Sequence, residues 1–262
     1  MIYEHKNTSL FSQLAGQERS DPVLLLHGLG GCHRSWQPLD QDLASTHRVM
    51  SLDLRGCGRS EAGRLLISLD LLADDCVALL DHLNIEAAHV VGHSLGGVVA
   101  QNLLVRHNQR LLSTVLVSTS SRLNPEATRM WQRLADMVEQ RGLPDPADGL
   151  ARAFSPRFAA QDPQEVARQA GIAASCDPLV YAAQARAASS YDYTEDLKAV
   201  TQPVLVIQGL ADRLTPVGGS VILSRALPNS TLELEEGIGH SLPTEMGGRF
   251  VARLRRFFGA TP

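Results

Sequence analysis

The chain has 262 residues, of which 44% are hydrophobic and 20% charged, with a formal net charge of −4, so it is long enough for one large α/β domain or two small ones. The slight acidic balance offers no basic surface for nucleic acid, and no segment approaches the roughly 18 consecutive apolar residues of a membrane span. The first residues, MIYEHK, lack the apolar stretch of a secretion signal, and the four cysteines are widely spaced, which together favour free thiols and a cytoplasmic location.

Short apolar runs alternate with segments of helical pattern along most of the chain. Six runs are expected to form strands: Pro22–His27, Val49–Asp53, His89–Val91, Val115–Val117, Val204–Ile207 and Thr231–Leu234. Four further segments are expected to be helical: Leu69–Leu83, Leu95–His107, 217–227 and 244–258. The first five runs are nearly continuous in apolar character, as strands are when helices cover both faces of a parallel sheet. The pattern predicts an α/β fold with a mostly parallel, doubly wound sheet.

The alternation is interrupted between residues 122 and 194. Four dipeptides there place a good N-cap before proline at the first helical position: Asn124-Pro125, Asp145-Pro146, Asp162-Pro163 and Asp177-Pro178. They predict four helices with no strand between them. Eight arginines and eight acidic residues balance each other from Arg122 to Ser190, so no charged docking face is expected. We interpret 122–194 as a helical lid inserted into a core formed by 1–121 and 195–262, rather than as extra helices of that core.

The stretch from Val90 to Gly97, VVGHSLGG, ends a predicted strand and begins a predicted helix on Ser94. Its G-x-S-x-G arrangement is typical of a sharp strand-to-helix turn, because glycine removes the Cβ atoms that would otherwise collide. Such a turn exposes the serine hydroxyl and directs the Leu95 N–H towards it at the positive end of the helix. The pattern predicts that Ser94 is a nucleophile that attacks a carbonyl carbon.

A nucleophilic serine needs a base, and the base needs an acid that orients it. Asp212 follows the predicted strand Val204–Ile207, and His240 lies among glycines after the last predicted strand, in a loop expected near the surface. The strand Val115–Val117 is followed by Ser-Thr-Ser and offers no competing acid. Ser94, Asp212 and His240 are therefore the predicted catalytic residues.

The oxyanion of a tetrahedral intermediate needs two hydrogen-bond donors. The Leu95 N–H is one, and the Leu29 N–H in the glycine-rich loop after the first buried strand is the predicted second. That loop, His27 to Gly31, lacks the Walker lysine and the dinucleotide pattern, which argues against a phosphate site. The proposed chemistry requires neither a metal nor an organic cofactor.

Other residues near these motifs are assigned supporting roles. Asp53 and Arg55 are expected to hold neighbouring backbone in a structural loop, although a catalytic Asp53 is conceivable. His93 is interpreted as a packing residue rather than the base. Met130 and Trp131 in the first lid helix are predicted either to line an apolar substrate pocket or to pack within the lid.

Five motifs in order resemble the α/β-hydrolase superfamily, and the match spans nearly the whole chain. They are HGLGG at His27, DLRGCGRS at Asp53, GHSLGG at Gly92, GLAD at Gly209 and GIGH at Gly237. The compact lid is most similar to that of the 3-oxoadipate enol-lactonase group and other small esterases. The resemblance implies hydrolysis of a small carboxylic ester or lactone through an acyl-enzyme on Ser94.

The motifs are less specific for the substrate. Epoxide hydrolases and haloalkane dehalogenases carry aspartate in place of Ser94. Carbon–carbon hydrolases of meta-cleavage diketones usually have tryptophan after the catalytic histidine, where this chain has Ser241, which counts against that activity without excluding it. A small-molecule sensor that keeps an intact triad is a further alternative. The acyl size, the pathway and the oligomeric state are not predicted.

Overall fold

The computed structural model describes residues 1–64 and 66–259, and within them one sheet runs through the molecule. The strands are β1 (Ile2–Glu4), β2 (Ser9–Ala15), β3 (Pro22–Leu26), β4 (Arg48–Leu52), β5 (Ala88–His93), β6 (Leu111–Val117), β7 (Val204–Gly209) and β8 (Ser230–Glu235). The helices of the core are α1 (Leu39–Leu43), α2 (Leu69–His82), α3 (Leu95–Arg106), α9 (Val217–Ala226), α10 (Leu242–Met246) and α11 (Gly248–Gly259). The helices between β6 and β7 are α4 (Pro125–Arg141), α5 (Pro146–Ala153), α6 (Pro156–Gln161), α7 (Pro163–Ala174) and α8 (Pro178–Ala187). Short 3₁₀ helices cover His33–Trp36, Asn108–Arg110 and Asp196–Ala199.

The strand order β1-β2-β4-β3-β5-β6-β7-β8 is that of a doubly wound sheet. All neighbours from β4 to β8 pair in parallel, whereas β1 and β2 form an antiparallel edge. The mostly parallel sheet predicted from the apolar runs is therefore confirmed. The two edge strands were missed because β2, with the sequence SLFSQLA, interleaves polar residues with its apolar ones.

The central strands bury side chains on both faces of the sheet. In β3, Leu24 and Leu26 belong to the apolar cluster beneath α2, α3 and α9, whereas Val23 and Leu25 belong to the cluster beneath α1, α10 and α11. This division follows the two-residue period of a strand. It explains why the sequence of β3 is uniformly apolar instead of alternating.

The chain leaves and rejoins the core at nearly the same place on either side of α4–α8. An isolated antiparallel bridge joins Arg122 to Asp192, and the Tyr193 N–H donates to the Ser121 carbonyl over 2.9 Å. The segment between these contacts is thus a separate helical layer inserted between β6 and β7, and we call α4–α8 the lid.

The four predicted lid helices begin at the predicted prolines, and a fifth helix was missed. Residue Asn124 shows how the proline signal works, because its side chain accepts the Ala127 N–H over 2.8 Å and caps α4. The unexpected helix α6 begins at Pro156 with Ser155 as its N-cap, accepting the Phe158 N–H over 3.2 Å. The dipeptide Ser155-Pro156 carries the same signal as the other four, so the sequence contained the information.

The helix predicted over 244–258 is two helices. Gly247 separates α10 from α11 and adopts a φ of +54°, a backbone conformation that suits glycine. The end of the predicted core, residues 260–262, lies outside the described residues. Among residues 1–64 and 66–259, no helix is long and apolar enough to cross a membrane.

Candidate active site

Ser94 occupies the sharp turn between β5 and α3. Its φ of +53° and ψ of −114° are rare for a residue with a side chain, and its N–H donates to the Val117 carbonyl over 2.9 Å. The flanking glycines make this turn possible. A Cβ on Gly92 would lie 2.3 Å from the Gly96 carbonyl oxygen, and a Cβ on Gly96 would lie 2.2 Å from that of Leu26. The G-x-S-x-G pattern is thus required by close backbone contacts, and it holds Ser94 at the carboxyl edge of the sheet.

His240 and Asp212 meet at the same edge, after β8 and β7 respectively. The His240 Nδ1 lies 2.8 Å from the Asp212 Oδ2. We assign the ring proton to Nδ1 because its partner is a carboxylate, which leaves Nε2 able to accept a proton. Contrary to the expectation from its glycine-rich loop, His240 is buried, with 7% of its surface exposed.

Asp212 is held in place by donors on both of its oxygens. Oδ1 accepts the N–H groups of Leu214 (2.8 Å) and Thr215 (2.9 Å), and Oδ2 accepts the Gln208 amide (2.9 Å) besides His240. Burial acts to raise the pKa of Asp212, but the hydrogen bonds from His240 and the backbone outweigh burial, so the pKa is lowered. The carboxylate therefore stays ionised and able to stabilise a protonated His240. Gln208, which the sequence reasoning missed, carries no pattern that marks it as an Asp212 partner.

His93 connects the serine turn to the histidine loop. It precedes Ser94, its ring centroid lies 5.1 Å from that of His240, and its Nε2 lies 2.9 Å from the His240 carbonyl oxygen. Burial, followed by the proximity of His240, lowers the pKa of His93 to about 3, so the ring is neutral and Nε2 donates to that carbonyl. The prediction that His93 packs rather than acts as the base agrees with this contact, but its hydrogen bond to the histidine loop was not foreseen.

The two predicted oxyanion donors, Leu29 and Leu95, belong to segments that lie next to Ser94. A Cβ on Gly28 would lie 3.4 Å from the Ser94 Cβ, so the loop that carries Leu29 closely approaches the serine. The Gly31 N–H donates to the Gly28 carbonyl over 3.0 Å and closes the turn around Leu29. Leu95 is the first residue of α3, so its N–H has no partner within the helix. Their assignment as oxyanion donors stays a prediction.

The lid contacts the predicted oxyanion loop through an apolar cluster. Trp131 of α4 and Tyr181 of α8 pack with Leu29 in this cluster. The Tyr181 ring also lies so close to Gly30 that a Cβ there would be 3.1 Å from Cε2. Met130 lies outside this cluster and is 42% exposed, so the two predicted pocket residues point in different directions. Trp131 remains a pocket candidate, Tyr181 is a new one, and the exposure of Met130 favours a surface position.

Asp53 and Arg55 support the loop after β4, as predicted. Asp53 accepts the His33 ring N–H (2.9 Å) and the Arg59 N–H (2.8 Å). Arg55 is fully buried, and its guanidinium is paired with Asp75 of α2. Cys32, His33 and Asp53 bring three potential metal ligand atoms within 4.8 Å of one another. Both oxygens of Asp53 already accept hydrogen bonds from the protein. These hydrogen bonds, which fix the loop, explain why Cys32, His33 and Asp53 lie close together.

Comparison with known proteins gives concordant relatives. A family model described as the alpha/beta hydrolase fold matches residues 21–245. The sequence is 33% identical, over 95% of each chain, to a Caulobacter sp. (strain K31) protein named "Putative carbamate hydrolase RutD". It is 31% identical to 3-oxoadipate enol-lactonase 1 of Acinetobacter baylyi, covering 83% of this chain and 81% of that protein. A thermophilic esterase structure from Thermogutta terrifontis superposes with a TM-score of 0.91 at 26% identity, covering 99% and 97% of the two chains.

Proposed function

Because the chain belongs to the α/β-hydrolase family, near the enol-lactonase group that its motifs resemble, we propose that it cleaves a small carboxylic ester or lactone through an acyl-enzyme on Ser94. A hydrolase activity follows from the family, and the bond that is cleaved is the proposal. The single observation that carries it is the His240–Asp212 hydrogen bond beside the strained turn that presents Ser94.

The first half of the reaction acylates the serine. The Ser94 Oγ attacks the acyl carbon while the His240 Nε2 takes the hydroxyl proton. Asp212 keeps the proton of His240 on Nδ1 and stabilises the imidazolium that forms, a role that suits its lowered pKa. The imidazolium then gives its proton to the departing alcohol oxygen, or to the ring-opened oxygen of a lactone.

The developing negative charge on the carbonyl oxygen is bound by the N–H groups of Leu29 and Leu95. One such donor typically contributes about 3–4 kcal/mol of transition-state stabilisation. Leu95 adds the positive end of α3, since it is the first residue of that helix. In the second half, His240 deprotonates a water molecule that attacks the acyl carbon. The bond between the acyl carbon and the Ser94 Oγ then breaks, the imidazolium returns its proton to Oγ, and the acid is released.

The relatives support the class of reaction, but they do not favour a particular substrate. Their names refer to a carbamate, an enol-lactone and esters. All three bond types place an oxygen or nitrogen leaving group on an acyl carbon, which is the atom that a serine nucleophile attacks. Trp131 and Tyr181 in the lid, next to Leu29, favour an acyl group with an apolar portion.

The test is an activity panel that contains short-chain p-nitrophenyl esters, lactones, a carbamate and a meta-cleavage-type diketone. We expect turnover of esters or lactones by the wild type and loss of it in Ser94→Ala. Ser118→Ala is the matched control, because Ser118 is a buried serine that follows β6 at the same edge of the sheet. Wild-type turnover by Ser94→Ala would refute the nucleophile, and turnover of the diketone alone would refute the substrate class.

A further inference from the structure

The loop that carries His240 is held on both flanks of the histidine, by core helix α10 on one side and by the lid on the other. Before it, the Gly239 N–H donates to the Glu245 Oε1 over 3.1 Å. After it, the Ser241 N–H donates to the carbonyl oxygen of Ala153, at the end of lid helix α5, over 2.9 Å. The backbone on each side of His240 is therefore positioned by groups outside its own loop.

Glu245, in the short helix α10, joins this loop to the lid. Its Oε1 also accepts the Ser155 N–H over 2.9 Å, and its Oε2 accepts the Ser155 hydroxyl over 2.6 Å. Ser155 is 3% exposed and caps lid helix α6, so the bonded atoms of the lid are well fixed. Hydrogen bonds to a carboxylate are shorter and stronger than those between neutral groups. One carboxylate thus bridges the lid and the histidine loop.

The packing at Gly239 makes this bridge tight. A Cβ at this position would lie 2.7 Å from both the Glu245 Oε1 and the Ser155 nitrogen, and 2.9 Å from the Ala153 carbonyl oxygen. These three groups belong to the bridge and the lid, and they leave no room for a side chain. A displacement of the lid at 153–155 would consequently be transmitted directly to the backbone beside His240.

We propose that Glu245 is a positioning residue that makes the catalytic alignment of His240 depend on the seating of the lid. The inference rests on the proposed function, because it assigns His240 as the base. With the lid seated, Glu245 and Ala153 fix both flanks of the histidine loop. With the lid displaced, the contacts with Ser155 and Ala153 are lost, and the bond from His93 to the His240 carbonyl remains. Proton transfer by His240 is thereby confined to the state in which the lid is seated.

Three variants test the proposal by steady-state kinetics on the ester that the wild type hydrolyses. Glu245→Ala removes the bridge and should lower kcat about 10- to 100-fold with KM changed less than about threefold, because a misplaced base slows the chemical step more than binding. Glu245→Gln keeps an acceptor oxygen for the two N–H donors and should restore most of kcat.

Glu165→Ala is the control, because Glu165 binds Arg168, which ties lid helix α7 to the carbonyl oxygens of Arg34 and Gln37. This variant removes a lid contact away from the histidine loop and leaves the bonds of Ser155 and Ala153, which seat the lid at that loop, in place. Wild-type kcat in Glu245→Ala, or an equal loss of kcat in Glu165→Ala, would overturn the proposal. If Glu245→Ala does not fold, Ser155→Ala removes the hydroxyl bond to Glu245 together with the cap of α6 but keeps the Ser155 N–H bond to Glu245, and it should give a smaller decrease of kcat in the same direction.

A second measurement does not depend on turnover. The proton on the His240 Nδ1 that is bonded to Asp212 should give a downfield ¹H NMR signal, assigned by its loss in His240→Gln. It should broaden or disappear in Glu245→Ala and persist in Glu245→Gln and Glu165→Ala. An unchanged signal in Glu245→Ala, together with an inactive Ser94→Ala, would refute the positioning role alone. An altered signal together with a fully active Ser94→Ala would refute the proposed function alone.

Discussion

The neutral ring of His93, which is partly buried, predicts a specific dependence of protein stability on pH. Its ring packs against His240 and its pKa is lowered to about 3, mainly by burial. In the unfolded chain the same side chain has the ordinary histidine pKa of 6.5. The substitution His93→Gln removes the titrating group and keeps an amide N–H that can reach the His240 carbonyl in place of the ring Nε2.

The sign and size of the effect follow from proton linkage. Between pH 6.5 and about 3 the unfolded state binds one more proton at His93 than the folded state. The contribution of the neutral His93 ring to the free energy of unfolding is therefore complete above pH 6.5 and is lost as the pH falls through this window. Each pH unit in this window is worth about 1.4 kcal/mol. When the pH is lowered from 7 to 5, the free energy of unfolding should therefore decrease by about 2 kcal/mol more in the wild type than in His93→Gln.

Urea unfolding at pH 7, 6 and 5, followed by circular dichroism, measures this difference. The gap in unfolding free energy between wild type and His93→Gln should change by about 2 kcal/mol across the series, with the variant gaining relative to the wild type towards pH 5. His82→Gln, which alters an exposed histidine at the end of α2, should track the wild type. Parallel pH dependence of wild type and His93→Gln would refute the conclusion that His93 is held neutral.

Three further substitutions test the site. Gly96→Ala should destabilise the fold by about 3 kcal/mol or more in thermal melts, because its Cβ would lie 2.2 Å from a backbone oxygen of β3. The control is Gly218→Ala in helix α9, which should be neutral or stabilising because its Cβ would have nothing within 4 Å. Asp212→Asn should lower kcat by about 10⁴-fold while the melting temperature changes little, because the tautomer of His240 is no longer fixed; a loss of less than tenfold would count against its role. Tyr181→Phe tests whether the hydroxyl, whose pKa burial raises to about 12, binds substrate: KM should rise about 3- to 10-fold in initial-rate assays, and an unchanged KM would limit Tyr181 to packing.

The elements that the sequence predicted are those with a strong local signal. The strands β3 to β7 are largely apolar, and the four predicted lid helices begin at a capping residue followed by proline, a signal that α6 also carries and that was overlooked there. The strands β1 and β2 escaped prediction because β1 has only three residues and β2 mixes polar with apolar residues, so neither contains a continuous apolar run. The short helix α1, Leu39–Leu43, spans little more than one turn and is too brief for helical periodicity to appear.

The candidate site likewise contains residues that the sequence predicted and contacts that it did not. Ser94, Asp212 and His240 were predicted because each follows a strand, and the carboxyl ends of parallel strands meet at one edge. The contact of Glu245 with Ser155 joins residues 90 positions apart, and no local pattern announces it. The different exposures of Met130 and Trp131 likewise depend on how α4 is rotated against its neighbours.

The central claim is that Ser94 is the nucleophile of an ester or lactone hydrolase. Its most direct test is to treat the protein with a p-nitrophenyl alkylphosphonate, which a serine nucleophile attacks with release of nitrophenolate, and to locate the adduct by peptide mass spectrometry. We predict one phosphonyl group per chain, on Ser94, formed in step with the loss of esterase activity and absent from Ser94→Ala. Full inactivation with the adduct on another residue, or esterase activity that persists after Ser94 is labelled, would contradict the claim.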